Sequence, residues 1–353
     1  MKKTSFNFSA ALLSWHKKDN KRVMPWKGEK DPYKIWLSEI ILQQTRVEQG
    51  LAYYNKFIQH YPNIKKLAAA KDEEVFKLWE GLGYYRRCKN LLCTAREIIK
   101  KYNGIFPKDY SEILKLKGIG KYTAAAITSF AYNQPYAVVD GNVFRVLSRV
   151  YGIDLPIDSL KGKKYFEHLA QELLGKNEPA VYNQAIMDFG ATICKPKLPE
   201  CITCIFKNDC KAYKQNLVSV LPVKEKKLIQ QTRWFYYIIL NYKNQVLIRK
   251  RTAKDIWQNL HEFYLIESKE EEKLSAKNIK TKLNKISVNE KFELVAISTT
   301  QQQKLTHRII KGQFITIELK QKINFENYFW IYKKNINQYS FPKFINAFLE
   351  NNV

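Results

Sequence analysis

Apolar residues recur at helical spacing through roughly the first 210 positions, and at strand spacing beyond about residue 232. Helices are predicted over residues 32–49, 72–79, 86–102, 142–151 and 179–193, each with apolar positions at i, i+3 and i+4 and each closing near Gly, Asn or Pro. The stretch from Asn142 is the clearest, with Val143, Val146, Leu147 and Val150 on one face. Residues 211–231 are polar, Lys-rich and contain Pro222, which reads as a linker. Beyond them, Trp234–Leu240, the Lys243-Asn244 turn and Gln245–Lys250 predict a β-hairpin. Phe292–Ile297 and Gln313–Leu319 are further strand candidates, with a short helix near Lys273–Leu283. The expected architecture is a mainly α domain over 1–210, a linker over 211–231, and a smaller α+β domain over 232–353.

Charge narrows the choice of partner. The 353 residues carry 60 Lys plus Arg against 33 Asp plus Glu, a formal net charge of +27. Such a surface suits a polyanion, and nucleic acid is the first candidate. With 45% hydrophobic and 14% aromatic residues, general disorder is excluded. No apolar run approaches the ~20 residues of a membrane span, so no membrane association is expected. Lys2 and Lys3 precede only a brief apolar stretch, Ala10 to Leu13, before His16, Lys17 and Lys18. No signal peptide and a cytoplasmic location are therefore expected.

Four of the six cysteines, Cys194, Cys201, Cys204 and Cys210, form a C-x6-C-x2-C-x5-C pattern. Four thiols in so short a loop can close on one metal centre, and thiolate chemistry alone leaves zinc and an iron–sulfur cluster both open. Lys195, Lys197, Lys207 and Lys211 flank them and could face a phosphate backbone. Cys88 and Cys93 lie on a predicted helix, where a cysteine packs as a small apolar residue.

Two carboxyl groups stand out. Glu39 falls in the apolar helix Trp36-Leu-Ser-Glu-Ile-Ile-Leu42, where desolvation would raise its pKa and suit it to general acid catalysis; an ion pair or a solvated edge is the alternative. Asp140 immediately precedes an amphipathic helix, as an N-cap does. Twenty residues before Asp140, Gly118 and Gly120 in Leu116-Lys-Gly-Ile-Gly-Lys121 permit a tight turn whose following helix N-terminus could hold a phosphate.

Taken together and in this order, these features resemble the helix-hairpin-helix DNA glycosylases with an iron–sulfur cluster, specifically the MutY-type adenine DNA glycosylases. The motifs are Trp36 to Arg46, Gly81-Leu-Gly-Tyr-Tyr85, Leu116 to Ala124, Val139-Asp-Gly-Asn-Val143, Asn183-Gln184-Ala185 and the cysteine spacing. The resemblance implies a helix-hairpin-helix glycosylase domain with a [4Fe–4S] cluster on the four cysteines, followed by a Nudix-like domain. It further implies a monomer acting on adenine opposite 8-oxoguanine or guanine in double-stranded DNA. Glu39 would be the general acid, Asp140 would stabilise an oxocarbenium-like sugar, and Asn142 would orient Asp140. Tyr122 stands where related lyases carry a lysine, implying base release without strand cleavage; Lys121 is one residue out of register. By the same resemblance Arg22, Trp26, Leu42 and Gln184 line the adenine pocket, with Lys27 where an arginine is usual. Gln44 fills the vacated stack, Tyr84 and Leu82 act beside the 8-oxoguanine, and Gly118, Gly120 and Lys121 grip DNA. In the last domain Leu305-Thr306-His307 replaces a Phe-Ser-His loop, so Thr306 and His307 would face 8-oxoguanine without the aromatic ring. The pyrophosphatase signature G-x5-E-x7-R-E-x2-E-E is absent from this domain, which implies damage recognition and not hydrolysis.

Overall fold

The computed structural model describes residues 6–225, 230–284 and 292–352. The chain forms two compact units, one of residues 1–69 and 90–227, the other of residues 70–89 and 228–353. The segment 70–89, expected in the first domain, thus counts with the second, and the expected linker residues up to 227 count with the first.

The first unit is helical: α1 (Phe8–Lys18), α2 (Pro32–Leu42), α3 (Val47–His60), α4 (Ile64–Ala69), then, after α5 (Asp72–Leu78) of the second unit, α6 (Arg86–Tyr102), α7 (Tyr110–Lys115), α8 (Lys121–Tyr132), α9 (Gly141–Tyr151), α10 (Leu160–Leu173), α11 (Pro179–Thr192) and the short α12 (Lys211–Lys214). The single helix expected over 32–49 is two. Gln43 leaves helical backbone at ψ 113° and Gln44 takes the left-handed region at φ 56°, so the chain turns before α3 begins. Pro32 at the first turn and the Asp31 side chain, accepting from the Tyr33 N–H, start α2. That helix is buried without a break from Ile35 to Ile41, with hardly a polar face, and it packs against the similarly buried α8. Gly118 adopts φ +79° in the α7–α8 turn, and a Cβ there would fall 2.7 Å from the Asn90 side chain.

The core of this unit gathers Leu12 and Trp15 of α1, Val146 and Leu147 of α9, Phe166 of α10 and Ile186 and Phe189 of α11. Phe206, fully buried in the cysteine loop, stacks on Phe8 at 4.7 Å and meets Phe189 edge-on at 5.0 Å. One ring thereby ties the loop to two helices.

In the second unit a mixed sheet contains β1 (Gln231–Tyr242), β2 (Gln245–Lys250), β3 (His261–Glu262), β4 (Tyr264–Ser268), β5 (Phe292–Ile297), β6 (Gln301–Lys304), β7 (Arg308–Leu319) and β8 (Tyr328–Tyr332). Its central path runs β3-β2-β1-β7-β5, with β1 and β7 parallel from Gln231 opposite Arg308 to Asn241 opposite Glu318. β1 is covered on both faces. Trp234, Tyr236, Ile238 and Leu240 share a core with Ile279 and Leu283 of α13 (Ala276–Asn284), while Phe235 and Tyr237 meet Trp257 and Phe344, the latter on α14 (Lys343–Asn352). That double burial explains why the sequence there is apolar without alternation. No described helix is long and apolar enough to cross a membrane.

Replacing Phe206 with Ala should remove about 3–5 kcal/mol of stability, the usual loss for a buried aromatic ring. Urea denaturation followed by circular dichroism would show it, and an unshifted midpoint would mean that the loop is not held by this ring.

Candidate active site

Within the helical unit, α2, α8, α9 and α11 wall a cavity of about 650 Å³. Ile35, Ser38, Glu39 and Leu42 line it at i, i+3, i+4 and i+7 along α2, one stripe of the helix. Tyr122, Asp140, Asn142, Arg22, Trp26, Gln44 and Gln184 line it as well. Nine residues singled out in the sequence, scattered from 22 to 184, thus share one wall system. Gln44 is exposed, held out by its left-handed backbone. Trp26 is half-buried and meets Tyr54 edge-on at 5.4 Å.

The two carboxyl groups sit in contrasting surroundings. Glu39 is 8% exposed. Burial pushes its pKa up to about 7; a hydrogen bond from the Tyr122 hydroxyl pulls it down and the nearby Asp140 charge adds to the rise. Burial also raises the Asp140 pKa, but against opposing bonds from the Val143 N–H, the Asn142 side chain and N–H, and the charge of Arg145. Asp140 Oδ1 accepts from the Asn142 and Val143 N–H groups at 2.8 Å each, and Oδ2 from Asn142 Nδ2 at 2.6 Å. It is therefore a true N-cap of α9 and a cavity residue at once. The phenol of Tyr122 is held well above its usual pKa, first by burial and then by the charges of Glu39 and Asp140.

Asn142 is itself held. Its Oδ1 accepts from Arg145 Nη2 at 2.8 Å, and the same guanidinium donates to the Gly190 and Cys194 carbonyls at 2.6 and 2.7 Å. Gly190 is what lets α11 come this close, since a Cβ there would lie 2.6 Å from that of Asn142. One helical turn on, Arg149 donates to the carbonyls of Lys195 and Leu221 and lies 3.6 Å from Cys194 Sγ. Sequence reading missed both arginines, although two buried guanidiniums beside the apolar stripe of α9 were the available signal. Asp188 was missed likewise. Set among Ala185, Ile186, Met187 and Phe189, it is fully buried and pairs with Arg22 at 2.9 Å and Lys27 at 3.1 Å.

Cys194, Cys201, Cys204 and Cys210 are free thiols around one small cavity, close enough that the charge of each of the other three acts on Cys204. Among the described residues no group of three His, Cys, Asp or Glu side chains meets at single-ion distance. The Phe206 N–H and the Arg149 guanidinium point donors at Cys204 and Cys194 sulfur, as thiolate ligands require. The donor set therefore fits a multi-sulfur centre.

Other sequence candidates lie elsewhere. Lys121 is outside the cavity lining and pairs with Glu167 at 2.9 Å. Gly118 and Gly120 form the turn ahead of α8. In the second unit, Leu82 is buried, whereas Tyr84 is exposed at φ 49° and its hydroxyl bonds to that of Thr306. Thr306 and His307 are exposed in the turn between β6 and β7.

Residues 37–182 match the HhH-GPD superfamily of base excision DNA repair proteins, and residues 235–351 match the NUDIX domain. Adenine DNA glycosylase from Buchnera aphidicola subsp. Acyrthosiphon pisum is 37% identical over 99% of this chain and 98% of its own length. The chain belongs to the adenine DNA glycosylase family. The human adenine DNA glycosylase is 39% identical over 58% of this chain and 39% of its own. Among solved structures, a thermostable thymine-DNA glycosylase aligns with TM-score 0.55 at 31% identity, over 59% of this chain and 95% of that one. An endonuclease III–DNA complex shares the fold, with TM-score 0.51 at 23% identity over 58% and 94%. Like other adenine DNA glycosylases by sequence, the protein is thus an enzyme of base excision repair, with a helical glycosylase domain and a Nudix domain.

The environment of Glu39 has a measurable consequence in this adenine DNA glycosylase. Its pKa rises from the ordinary 4.5 to about 7 on folding, so the folded state binds the proton more tightly. The stability that follows is fully present below pH 4.5 and is lost as pH climbs through 7. Glu39→Gln removes the ionisable group, and at pH 8 it should stabilise the fold by on the order of 2–3 kcal/mol, with no gain at pH 4. Denaturant midpoints of the two proteins across that range would check this.

Proposed function

We propose that the protein hydrolyses the N-glycosidic bond of adenine mispaired with 8-oxoguanine or guanine in duplex DNA, acting as a monomer and leaving the strand uncut. The observation that carries this reading is a buried carboxyl group with a pKa of about 7 sharing one cavity with a hydrogen-bonded Asp140. A buried acid beside a hydrogen-bonded carboxyl group is what glycosidic hydrolysis by an acid and a charge stabiliser needs. The cavity also lies within the roughly 300–1,000 Å³ typical of small-molecule sites, which suits a nucleotide turned out of the helix.

In this mechanism Glu39 gives its proton to N7 of the extruded adenine. The C1′–N9 bond then breaks with its electron pair leaving on the neutral base. The sugar becomes oxocarbenium-like, and Asp140, fixed by Asn142 and the Val143 N–H, opposes that positive charge until water adds at C1′. Tyr122 has no amine with which to form a Schiff base, and Lys121 lies outside the cavity lining, so base release ends the reaction. Arg22, Trp26, Leu42 and Gln184 would surround the base while Gln44 fills its place in the stack. Gly118, Gly120 and Lys121 would hold phosphates at the N-terminus of α8. Tyr84, with Leu82 buried in the same loop, and Thr306 and His307 would address the 8-oxoguanine; the hydroxyl contact between Tyr84 and Thr306 supports a shared surface. Cys194, Cys201, Cys204 and Cys210 would hold a [4Fe–4S] cluster. When bound, it supplies a four-thiolate cross-link that stiffens the Lys-rich loop.

The test is single-turnover base release from duplexes with adenine opposite 8-oxoguanine, guanine or thymine, read with and without hot alkali. Breaks should depend on alkali and favour the first two duplexes. The rate should fall about tenfold per pH unit above 7 as Glu39 ionises, and fall again in acid as Asp140 takes up a proton. Glu39→Gln should abolish release while duplex binding persists. Breaks without alkali, or no adenine release from any duplex, would refute the proposal.

A further inference from the structure

Asp188 is fully buried on α11, and four donors converge on its two oxygens. Arg22 Nη1 and Gln184 Nε2 reach Oδ1 at 2.9 Å each; Asn20 Nδ2 and Lys27 Nζ reach Oδ2 at 2.8 and 3.1 Å. A carboxylate offers about four acceptor positions, so this one is saturated. Arg22, Lys27 and Gln184 all line the cavity, yet Asp188 itself does not. It touches the pocket only through the residues it holds.

Gln184 precedes Asp188 by one helical turn, and its amide can meet the carboxylate in one orientation only. A carboxylate oxygen accepts and cannot donate, so the amide nitrogen must face Asp188 and the carbonyl must face away. Among the described residues no hydrogen bond engages Gln184 Oε1. The two cations matter for the opposite reason. Left free, the ammonium and guanidinium would offer all their donors to a carbonyl on the bound base; Asp188 engages Lys27 Nζ and Arg22 Nη1 and so ties up part of that donor set.

We infer that Asp188 is a positioning residue that turns the Gln184 carbonyl toward the base, selecting purines with a 6-amino donor over those with a 6-oxo acceptor. The inference rests on the adenine-excision reading and deepens it. An adenine 6-amino group donates to Oε1. A 6-oxo group would set acceptor against acceptor inside the cavity, where unpaired polar groups are costly.

The experiment compares single-turnover base release from duplexes carrying adenine, purine or hypoxanthine at one position opposite 8-oxoguanine. It uses the wild type, Asp188→Asn and Gln184→Leu. Asp188→Asn supplies an amide that can itself donate to Gln184 Oε1, so the preference for adenine over hypoxanthine should narrow by roughly tenfold or more. Gln184→Leu leaves the carboxylate and its cations in place and should bring adenine and purine to similar rates. A merely structural Asp188 would slow all three substrates by one factor, and unchanged ratios in a folded Asp188→Asn protein would overturn the inference. Should that variant fail to fold, Gln184→Leu decides: a retained adenine-to-purine preference overturns it. Wild-type release of adenine separates these failures from failure of the underlying reading.

Discussion

The site depends on keeping a carboxyl group dry. Glu39 belongs to a helix buried without a break from Ile35 to Ile41, so rotating α2 would not give it a wet face. Desolvation of this kind is normally a defect, because a charge cannot be left uncompensated inside a protein. Here the group answers by holding its proton, with the Tyr122 hydroxyl as its hydrogen-bond partner. It does so in the wall of a cavity. Keeping this carboxyl group buried lowers stability above its raised pKa.

Asp140 faces the same burial but is treated differently, and α9 is the reason. The helix begins at Asp140, so its free N–H groups and the positive end of its dipole favour the charged form. Asn142 adds a side-chain bond, and Arg145 fixes Asn142 while reaching the Gly190 and Cys194 carbonyls. The close approach of α11 at Gly190 is part of this arrangement. One helix therefore places the carboxylate at its N-cap and ties itself to the start of the cysteine loop through residues one and two turns further on. The same physical cap that ends the backbone's need for acceptors also fixes a carboxylate in the cavity wall.

Much of this was legible in the sequence because it depends on local chemistry. The apolar surroundings of Glu39, the Asp before an amphipathic stretch, and the cysteine spacing can each be read within ten or twenty residues. Helix limits were legible where caps or prolines mark them, as at Asp140 and Pro179. The break after Leu42 was not, since nothing in Gln43-Gln44-Thr45 forbids helix; the left-handed Gln44 is a tertiary outcome. In the second unit, β3, β4, β6 and β8 escaped notice, as did the parallel pairing of β1 with β7. Short edge strands such as Gln301–Lys304 carry no apolar alternation, and pairing between residues about 75 positions apart leaves no local trace. Arg145, Arg149 and Asp188 were passed over because a charged residue in a helix is usually read as its wet face.

Asp188 and Glu39 show what that reading lacks. Both are acids inside apolar helical stretches, and on sequence pattern alone they are equivalent. Their partners differ. Asp188 receives four donors, two of them cationic, contributed by residues 20 to 27 of a loop and by its own helix. Glu39 receives a phenol and faces another carboxylate. The first environment compensates a charge and makes Asp188 a fixed point to which others are tied; the second withholds compensation and raises the pKa of Glu39. Burial alone does not assign a role to a carboxyl group. The inventory of donors around it does, and that inventory is assembled by segments more than 160 residues apart, which is why it becomes visible only in the folded chain.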